Sequence, residues 1–490
     1  MELLSGRVSL GLGLVVELFA LGLVPLVLLR RKEPSSTAAW ILALVFLPGI
    51  GSLLFLMFGR DRVRLPAQWK RAADQHVARR HPHRHRWRLS SVQREAALAR
   101  VESPVERELF RVGAALSGAE ARPGNAVSLL VDGDATYDAI GRAIDAAKHR
   151  VDAEYYLVRR DGTAAWFRER LVAAARRGAR VRLLLDGYGS FWISRAWLRP
   201  LRDAGVEVAF FLPARLLLFQ PMNLRNHRKI VVVDGEVGFT GGINVGDEYR
   251  GKLGPWRDLH MELRGPAVEP LAEIFEQDWH FATRAPLPAE DKAASLPPPP
   301  QPEVGDALVA IVRSGPDVGG VERETIHRLF FSAITMARER VFVTTPYFIP
   351  DRAILVALET AAMRGVDIRL LFPSRSNHPV VFQAGRAFYE QLLEAGVRIY
   401  EYGPGMIHAK TMVVDGSVAL VGSANMDLRS FRLNFEVHAV VRDDATARAL
   451  EAIFERDLAV TREVELAAFR ARPRVMRVLE GVARLLSPLM

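Results

Sequence analysis

The chain has no cysteine among its 490 residues. That excludes disulfides, a thiolate nucleophile and thiolate-held metal. Acid is also short: 56 Asp and Glu stand against 66 Lys and Arg, a formal charge of +10. A basic surplus of that kind fits an anionic partner, either nucleic acid or anionic lipid. Aromatics are few, at 8%, while apolar residues reach 49%.

Long apolar runs are confined to the start. Val8 to Leu29 gives 22 mostly apolar residues interrupted by Glu17, Arg30-Arg31-Lys32 follows, and Ala38 to Phe58 gives another 21 without a charge. A membrane-crossing helix needs about 20 such residues. The two runs therefore predict a transmembrane helical hairpin over residues 1–60. A signal peptide is the competing reading of the first run, disfavoured by its thin charged start and the absence of a clear cleavage site. Residues 61–120 form a basic juxtamembrane and connecting segment that includes Arg79-Arg80-His81-Pro82-His83-Arg84-His85-Arg86. Basic residues favour the cytoplasmic side, so both termini and the rest of the chain are expected there, with the hairpin multi-pass in a membrane. His81, His83 and His85 have metal-ligand chemistry, but a solvated basic tract explains them more simply, and no metal site is assigned. Apolar helices beside a basic tract favour lipid over nucleic acid as the partner.

The chemistry lies in a repeat. His227, Lys229 and Asp234 recur as His408, Lys410 and Asp415, each set spelling H-x-K-x-x-x-x-D before a Gly. Both sets read as buried strands closed by a turn, with His and Lys on one face because strand side chains alternate. Two imidazoles and two ammonium groups in duplicate suit a phosphodiester. Asp234 and Asp415 sit where the strands end, fitted to cap backbone N–H groups and to give electrostatic support. Burial of a lysine is costly without a purpose, so two matching His–Lys pairs argue against coincidence.

The repeat extends beyond the motifs. Val127 to Val131, Val151 to Val158 and Val181 to Leu185 read as strands separated by helices, one spanning Ala135 to His149 and the next ending at Arg176-Arg177-Gly178. Ala307 to Val312, Arg340 to Thr345 and Val366 to Phe372 repeat the order, with helices over Glu322 to Arg338 and up to Met363-Arg364-Gly365. The two histidines are 181 residues apart. One α/β unit thus occurs twice, at 121–284 and 305–470, with a mostly parallel sheet expected. If the units pack about a pseudo-twofold axis, both His–Lys pairs face one cleft. Residues 285–304 are a Pro-rich linker. Residues 471–490 form an amphipathic helix with interspersed arginines, suited to an anionic membrane surface or to packing on the core. The apolar stretch Phe210 to Phe219 reads as a lipid access route or as buried structure.

These motifs resemble the phospholipase D superfamily, and within it the bacterial cardiolipin synthases. The likeness covers nearly the whole chain. It includes Thr240-Gly241-Gly242-Ile243-Asn244 with Asp247-Glu248-Tyr249, Gly422-Ser423-Ala424-Asn425 with Met426 to Ser430, and Asn434-Phe435-Glu436. It implies duplicated phospholipase D-like α/β/α units forming a pseudo-twofold catalytic core. It implies a bacterial inner-membrane enzyme that moves a phosphatidyl group from one phosphatidylglycerol to another, releasing glycerol. One histidine attacks phosphorus and the other serves as acid and base. His227 is taken as nucleophile and His408 as acid–base, with near-symmetry leaving the reverse open. Lys229 and Lys410 would hold the phosphoryl oxygens, and Asn244, Asn425 and Ser423 would bind the phosphate. Asp258 and Glu436 match the acidic position that orients a histidine. The resemblance implies no cofactor and no metal, since the lysines supply the charge. The alternatives are a hydrolase using the same motifs and a noncatalytic scaffold that binds anionic lipid.

Overall fold

The computed structural model describes residues 2–29, 34–56, 70, 89–212, 224–252, 254, 256–284, 302–316 and 324–486. The chain divides into two compact units, Met1–Leu65 and Pro66–Met490.

The first unit holds three helices, Glu2–Leu28, Pro34–Phe46 and Pro48–Leu54. They pack around Ala20, Leu23, Val27, Leu44 and Phe55. The expected transmembrane hairpin is not found: among the described residues no helix is long and apolar enough to cross a membrane. The first helix carries Glu2, Arg7 and Glu17 and has Pro25 inside. The second apolar run is split before Pro48, whose ring disfavours helical backbone at Leu47 (φ −133°, ψ 59°), leaving helices of 13 and 7 residues. The multi-pass inner-membrane placement, and with it the cytoplasmic orientation of the core, loses the spans it rested on. The basic tract with His81, His83 and His85, most of the Pro-rich linker, and residues 213–219 of the apolar stretch lie outside the described residues.

The second unit is built on one continuous sheet. Its centre is the antiparallel pair Arg122–Val131 and Ala307–Ser314, which joins the two repeats. Outward from this pair the halves run through matching strands. One side passes through Leu259–Arg264, Val237–Gly241, Lys229–Val233, Arg150–Tyr155, Arg180–Asp186 and Glu207–Phe211. The other passes through Asn434–Arg442, Val418–Gly422, Thr411–Val414, Arg340–Thr344, Asp367–Pro373 and Arg398–Tyr402. The duplicated α/β architecture is as the repeat implied, but the sheet is mixed rather than mostly parallel. Along the main path of the sheet, the strands joined through helices, from Arg150 to Phe211 and from Arg340 to Tyr402, pair in parallel and the others antiparallel. The motif strands turn back tightly, which forces antiparallel pairing.

The tight turns follow from Asp-Gly. Asp234 and Gly235 have φ of 52° and 72°, and Asp415 and Gly416 have 49° and 68°. Positive φ at both central positions is the hairpin turn that matches strand twist, and Asp and Gly tolerate it. Each Asp carboxylate then accepts three backbone N–H groups, those of Lys148, His149 and Arg150 for Asp234 and those of Arg338, Glu339 and Arg340 for Asp415. Three such bonds pin each motif strand to its neighbour.

The described part of 61–120 packs rather than merely connects. Ser91–Ala99 starts with a Ser90/Gln93 capping box, and Pro104–Ser117 is capped by Ser103 and ends on left-handed Gly118. Leu98, Leu109 and Phe110 enter the core of the second repeat. The C-terminal helix Arg474–Leu486 buries Glu480 and Ala483, whereas the apolar row Val475, Val478, Leu479, Val482 and Leu485 is exposed. That row does not pack on the core.

Candidate active site

Strand pairing across the halves decides which acid meets which base. His227 lies between the short strand Arg225–Asn226 and Lys229–Val233, and His408 between Met406–Ile407 and Thr411–Val414. Each short strand pairs in parallel with the opposite half, Arg225 and Asn226 with Asn434 and Phe435, Met406 and Ile407 with Trp256 and Arg257. The His227 N–H donates to the Phe435 carbonyl, and the His408 N–H to that of Arg257. The next residue on each partner strand is the acid. Glu436 Oε1 and Oε2 therefore lie 3.1 and 3.0 Å from His227 Nδ1. Asp258 Oδ2 lies 2.7 Å from His408 Nδ1. Each imidazole is backed by a carboxylate from the other repeat, a pairing that sequence position alone left open.

The two supports differ in one methylene, and the neighbouring residue compensates. Ser423 Oγ donates to Glu436 Oε2 at 2.5 Å, and Asn434 Nδ2 donates to Oε1 at 3.0 Å. At the matching place in the first half stands Gly242, where a Cβ would lie 2.1 Å from Asp258 Oδ1. The shorter acid thus occupies the space the serine uses in the other half. Ser423, expected to bind phosphate, is fully buried and does not line the cavity; it holds Glu436 instead.

His227, His408, Asn244 and Asn425 line one cavity of about 1050 Å³. Asn244 Nδ2 donates to the Tyr249 hydroxyl at 2.8 Å, and buried Asn425 Oδ1 has no hydrogen-bond partner among the described residues. Lys229 and Lys410 are buried beneath the histidines, each ammonium donating to the carbonyl of its own motif histidine. Asp234 and Asp415 do not line the cavity. Of the six motif residues only the two histidines line the cavity; the lysines are buried, and the aspartates stand at the strand ends. Motif composition had no place for the aromatic walls. Tyr156 packs edge-on to His227 at 5.0 Å, and Trp256 and Tyr249 lie 5.3 and 5.9 Å from His408. Tyr188, Phe191 and Trp192 form an exposed aromatic rim. Behind the acids stands a second pair, His260 and His438, two residues beyond Asp258 and Glu436. The repeated acid-x-His spacing was the signal for it.

Burial sets the protonation states. It lowers His227 to about 4, with Glu436 opposing and Lys229 reinforcing. Burial, helped by Lys410 and opposed by Asp258, takes His408 to about 3. Burial also lowers Lys229 to about 7 and Lys410 to about 8, against the pull of Glu436 and Asp258 respectively. Burial pushes Glu436 up, but His227, Lys229 and the Ser423 hydroxyl together hold it at about 2. At neutral pH the site thus presents two neutral imidazoles, a Lys410 that is mostly charged and a Lys229 near its midpoint. An arriving phosphodiester anion shifts every one of these groups toward its protonated form.

Arg228 fixes this assembly from the opposite strand face. Its Nε donates to the Glu436 carbonyl at 3.2 Å, and its guanidinium pairs with buried Asp278, which also pairs with Lys70 at 3.1 Å.

The family described as "Cardiolipin synthase, PLD-like domain" matches residues 140–279 and 330–458, and that described as "Phospholipase_D-nuclease N-terminal" matches residues 20–60. The chain belongs to the cardiolipin synthase family. It is 40% identical to a cardiolipin synthase of Geobacillus kaustophilus over 94% of this chain and 90% of that protein. It is 37% identical to one from Geobacillus sp. (strain WCH70) over 99% and 95%. The crystal structure of a phosphatidylserine synthase from Haemophilus influenzae Rd KW20 shares the fold, with a TM-score of 0.60 at 12% identity over 78% of this chain and 100% of that one.

Proposed function

We propose that this enzyme makes cardiolipin by two displacements at phosphorus in the shared cavity. Membership of the family makes it a phosphatidyltransferase, with phosphatidylglycerol as both donor and acceptor. The observation that carries the mechanism is the pair of carboxylate-backed imidazoles lining one cavity.

In the first displacement, His227 Nε2 attacks the donor phosphorus. The bond from phosphorus to the terminal glycerol oxygen breaks, and His408, protonated as the phosphodiester anion binds, gives that oxygen its proton. In the second, His408 takes the proton of a primary hydroxyl on the second phosphatidylglycerol. The resulting oxygen attacks phosphorus, the P–N bond breaks, and His227 is restored. The intermediate leaves a lasting positive charge on the nucleophilic imidazole. Glu436, with hydrogen bonds from Ser423 and Asn434, is the more heavily supported acid, which suits His227 to that role. Lys229 and Lys410 offset the charge on the phosphoryl oxygens, and Asn244 and Asn425 donate to them. One preorganised donor of this kind contributes about 3–4 kcal/mol to transition-state stabilisation. The aromatic walls exclude water, which favours a lipid hydroxyl over hydrolysis.

The test uses purified protein in mixed micelles with labelled phosphatidylglycerol as the sole phospholipid and EDTA present. Cardiolipin and glycerol in equal amounts, both lost in His408→Ala, are expected. Phosphatidic acid without cardiolipin would mean that water is the acceptor. A biological effect undiminished in His227→Ala would point to a scaffold.

A further inference from the structure

A cardiolipin synthase holds two phosphodiesters at once, because the acceptor is itself a phospholipid. The lysines and asparagines beneath the histidines provide for one. The second sits only the three carbons of a glycerol bridge away, so its seat must open onto the same cavity.

The symmetry of the site breaks in one informative place. Arg225 stands two residues before His227 and shares its face of the chain, and the matching position before His408 is Met406. The partner strands break in the same sense: Arg225 is in register with Asn434, and Met406 with Trp256. A polar pair therefore stands before one histidine where an apolar pair stands before the other. Arg429 lines the cavity too, near enough to Arg225 to act on its charge.

Arg225 is only 6% exposed, yet among the described residues no carboxylate reaches ion-pair distance of it. Its guanidinium donates to the Leu224 carbonyl at 2.7 Å and stacks over the Tyr188 ring at 3.8 Å. The nearest acid, Asp186, is occupied by the backbone N–H groups of Tyr188, Gly189 and Asn226. The three other arginines buried to this degree among the described residues all have carboxylate partners: Arg182 with Asp152, Arg228 with Asp278, Arg257 with Asp457. Burial lowers the Arg225 pKa, opposed by Asp186 and reinforced by Arg429. A buried guanidinium without a counter-ion is costly unless an anion arrives to complete it. Its planar fork matches phosphate oxygens. Buried Asn434 Oδ1, also lining the cavity, has no hydrogen-bond partner among the described residues and is placed to accept from a lipid hydroxyl.

We propose that Arg225 seats the phosphodiester of the acceptor lipid, while the two His–Lys pairs seat that of the donor. This rests on the reading that the acceptor is phosphatidylglycerol. It makes Arg225 the residue that distinguishes a phospholipid acceptor from a small alcohol.

The experiment compares wild type, Arg225→Met and Arg225→Lys with two acceptors. Labelled glycerol exchanging into phosphatidylglycerol reports donor use with an acceptor that has no phosphate; cardiolipin formation reports the phospholipid acceptor. Arg225→Met is expected to leave glycerol exchange within about threefold while cardiolipin formation falls about ten- to a hundredfold, the size of one lost charge-assisted hydrogen bond. Arg225→Lys should recover part of that loss. Equal loss of both reactions would place Arg225 with the donor or the fold, and unchanged cardiolipin formation would leave it no seat to provide; either overturns the proposal. Wild type that exchanges glycerol but forms no cardiolipin would instead refute the activity assigned above, whatever Arg225 does.

Discussion

Glu436→Gln is the sharpest perturbation of the site, because it keeps shape and removes one charge. Burial pushes the carboxylate up, but His227 first, then Lys229 and the Ser423 hydroxyl, outweigh it and hold the group at about 2. A charge-assisted hydrogen bond of this kind is worth about 1.5–3 kcal/mol. The same interaction grows as His227 gains positive charge at the transition state. Its loss is therefore expected to slow the covalent step by about a hundredfold. Rapid-quench measurement of phosphoenzyme formation in micelles reads this directly, and far-UV circular dichroism with a thermal melt confirms that the variant folds. A folded Glu436→Gln enzyme forming phosphoenzyme within about fivefold of wild type would refute the electrostatic role.

Three further outcomes are expected. Gly242→Ala would push Asp258 off His408, since the added carbon would lie 2.1 Å from Oδ1; kcat should fall, whereas Ser423→Ala should act through His227 instead. Phosphoenzyme and turnover measured side by side separate the two. Lys229 and Lys410, lowered to about 7 and 8, lose charge at pH values where ordinary lysines keep it, so kcat/KM should decline from pH 7 to 9; a profile flat to pH 10 would contradict this. His227, His408, His260 and His438 are held neutral by burial, at about 4, 3, 3 and 4, below the unfolded value. Between those values and about 6.5 the unfolded chain binds more protons at these four sites, so they lower stability as pH drops through that window, against the opposite contribution of Asp186 and Asp427, both raised to about 6; the four histidines are expected to prevail. Denaturant midpoints measured from pH 7.5 to 4.5 check the sign.

The duplicated fold and the central residues were legible because their signals are local. H-x-K on alternating positions, Asp-Gly after the strand and helices between apolar runs each constrain only a few neighbours. Even the strand-end role of Asp234 and Asp415 follows from a turn written beside them. The crossed pairing of Glu436 with His227 and Asp258 with His408 was not legible, because strand partnership across 209 and 150 residues is a tertiary outcome. The same holds for Ser423, whose hydroxyl is committed to Glu436 only because Asn434–Arg442 pairs with Val418–Gly422. The mixed sheet could have been read from the two hairpin turns, which require antiparallel neighbours. The N-terminal hairpin shows the opposite failure. Apolar length alone predicts two spans, but Pro48 divides the second run.

The most direct test of the two-histidine mechanism is to trap the covalent intermediate with a phosphatidyl ester of p-nitrophenol, labelled at phosphorus. Departure of p-nitrophenolate needs no proton, so His408→Ala should release one equivalent of it and accumulate label on the peptide that contains His227. His227→Ala should take up none. Label on the His408 peptide of wild type, or steady turnover by His408→Ala without a trapped intermediate, would contradict the assignment of nucleophile and acid–base.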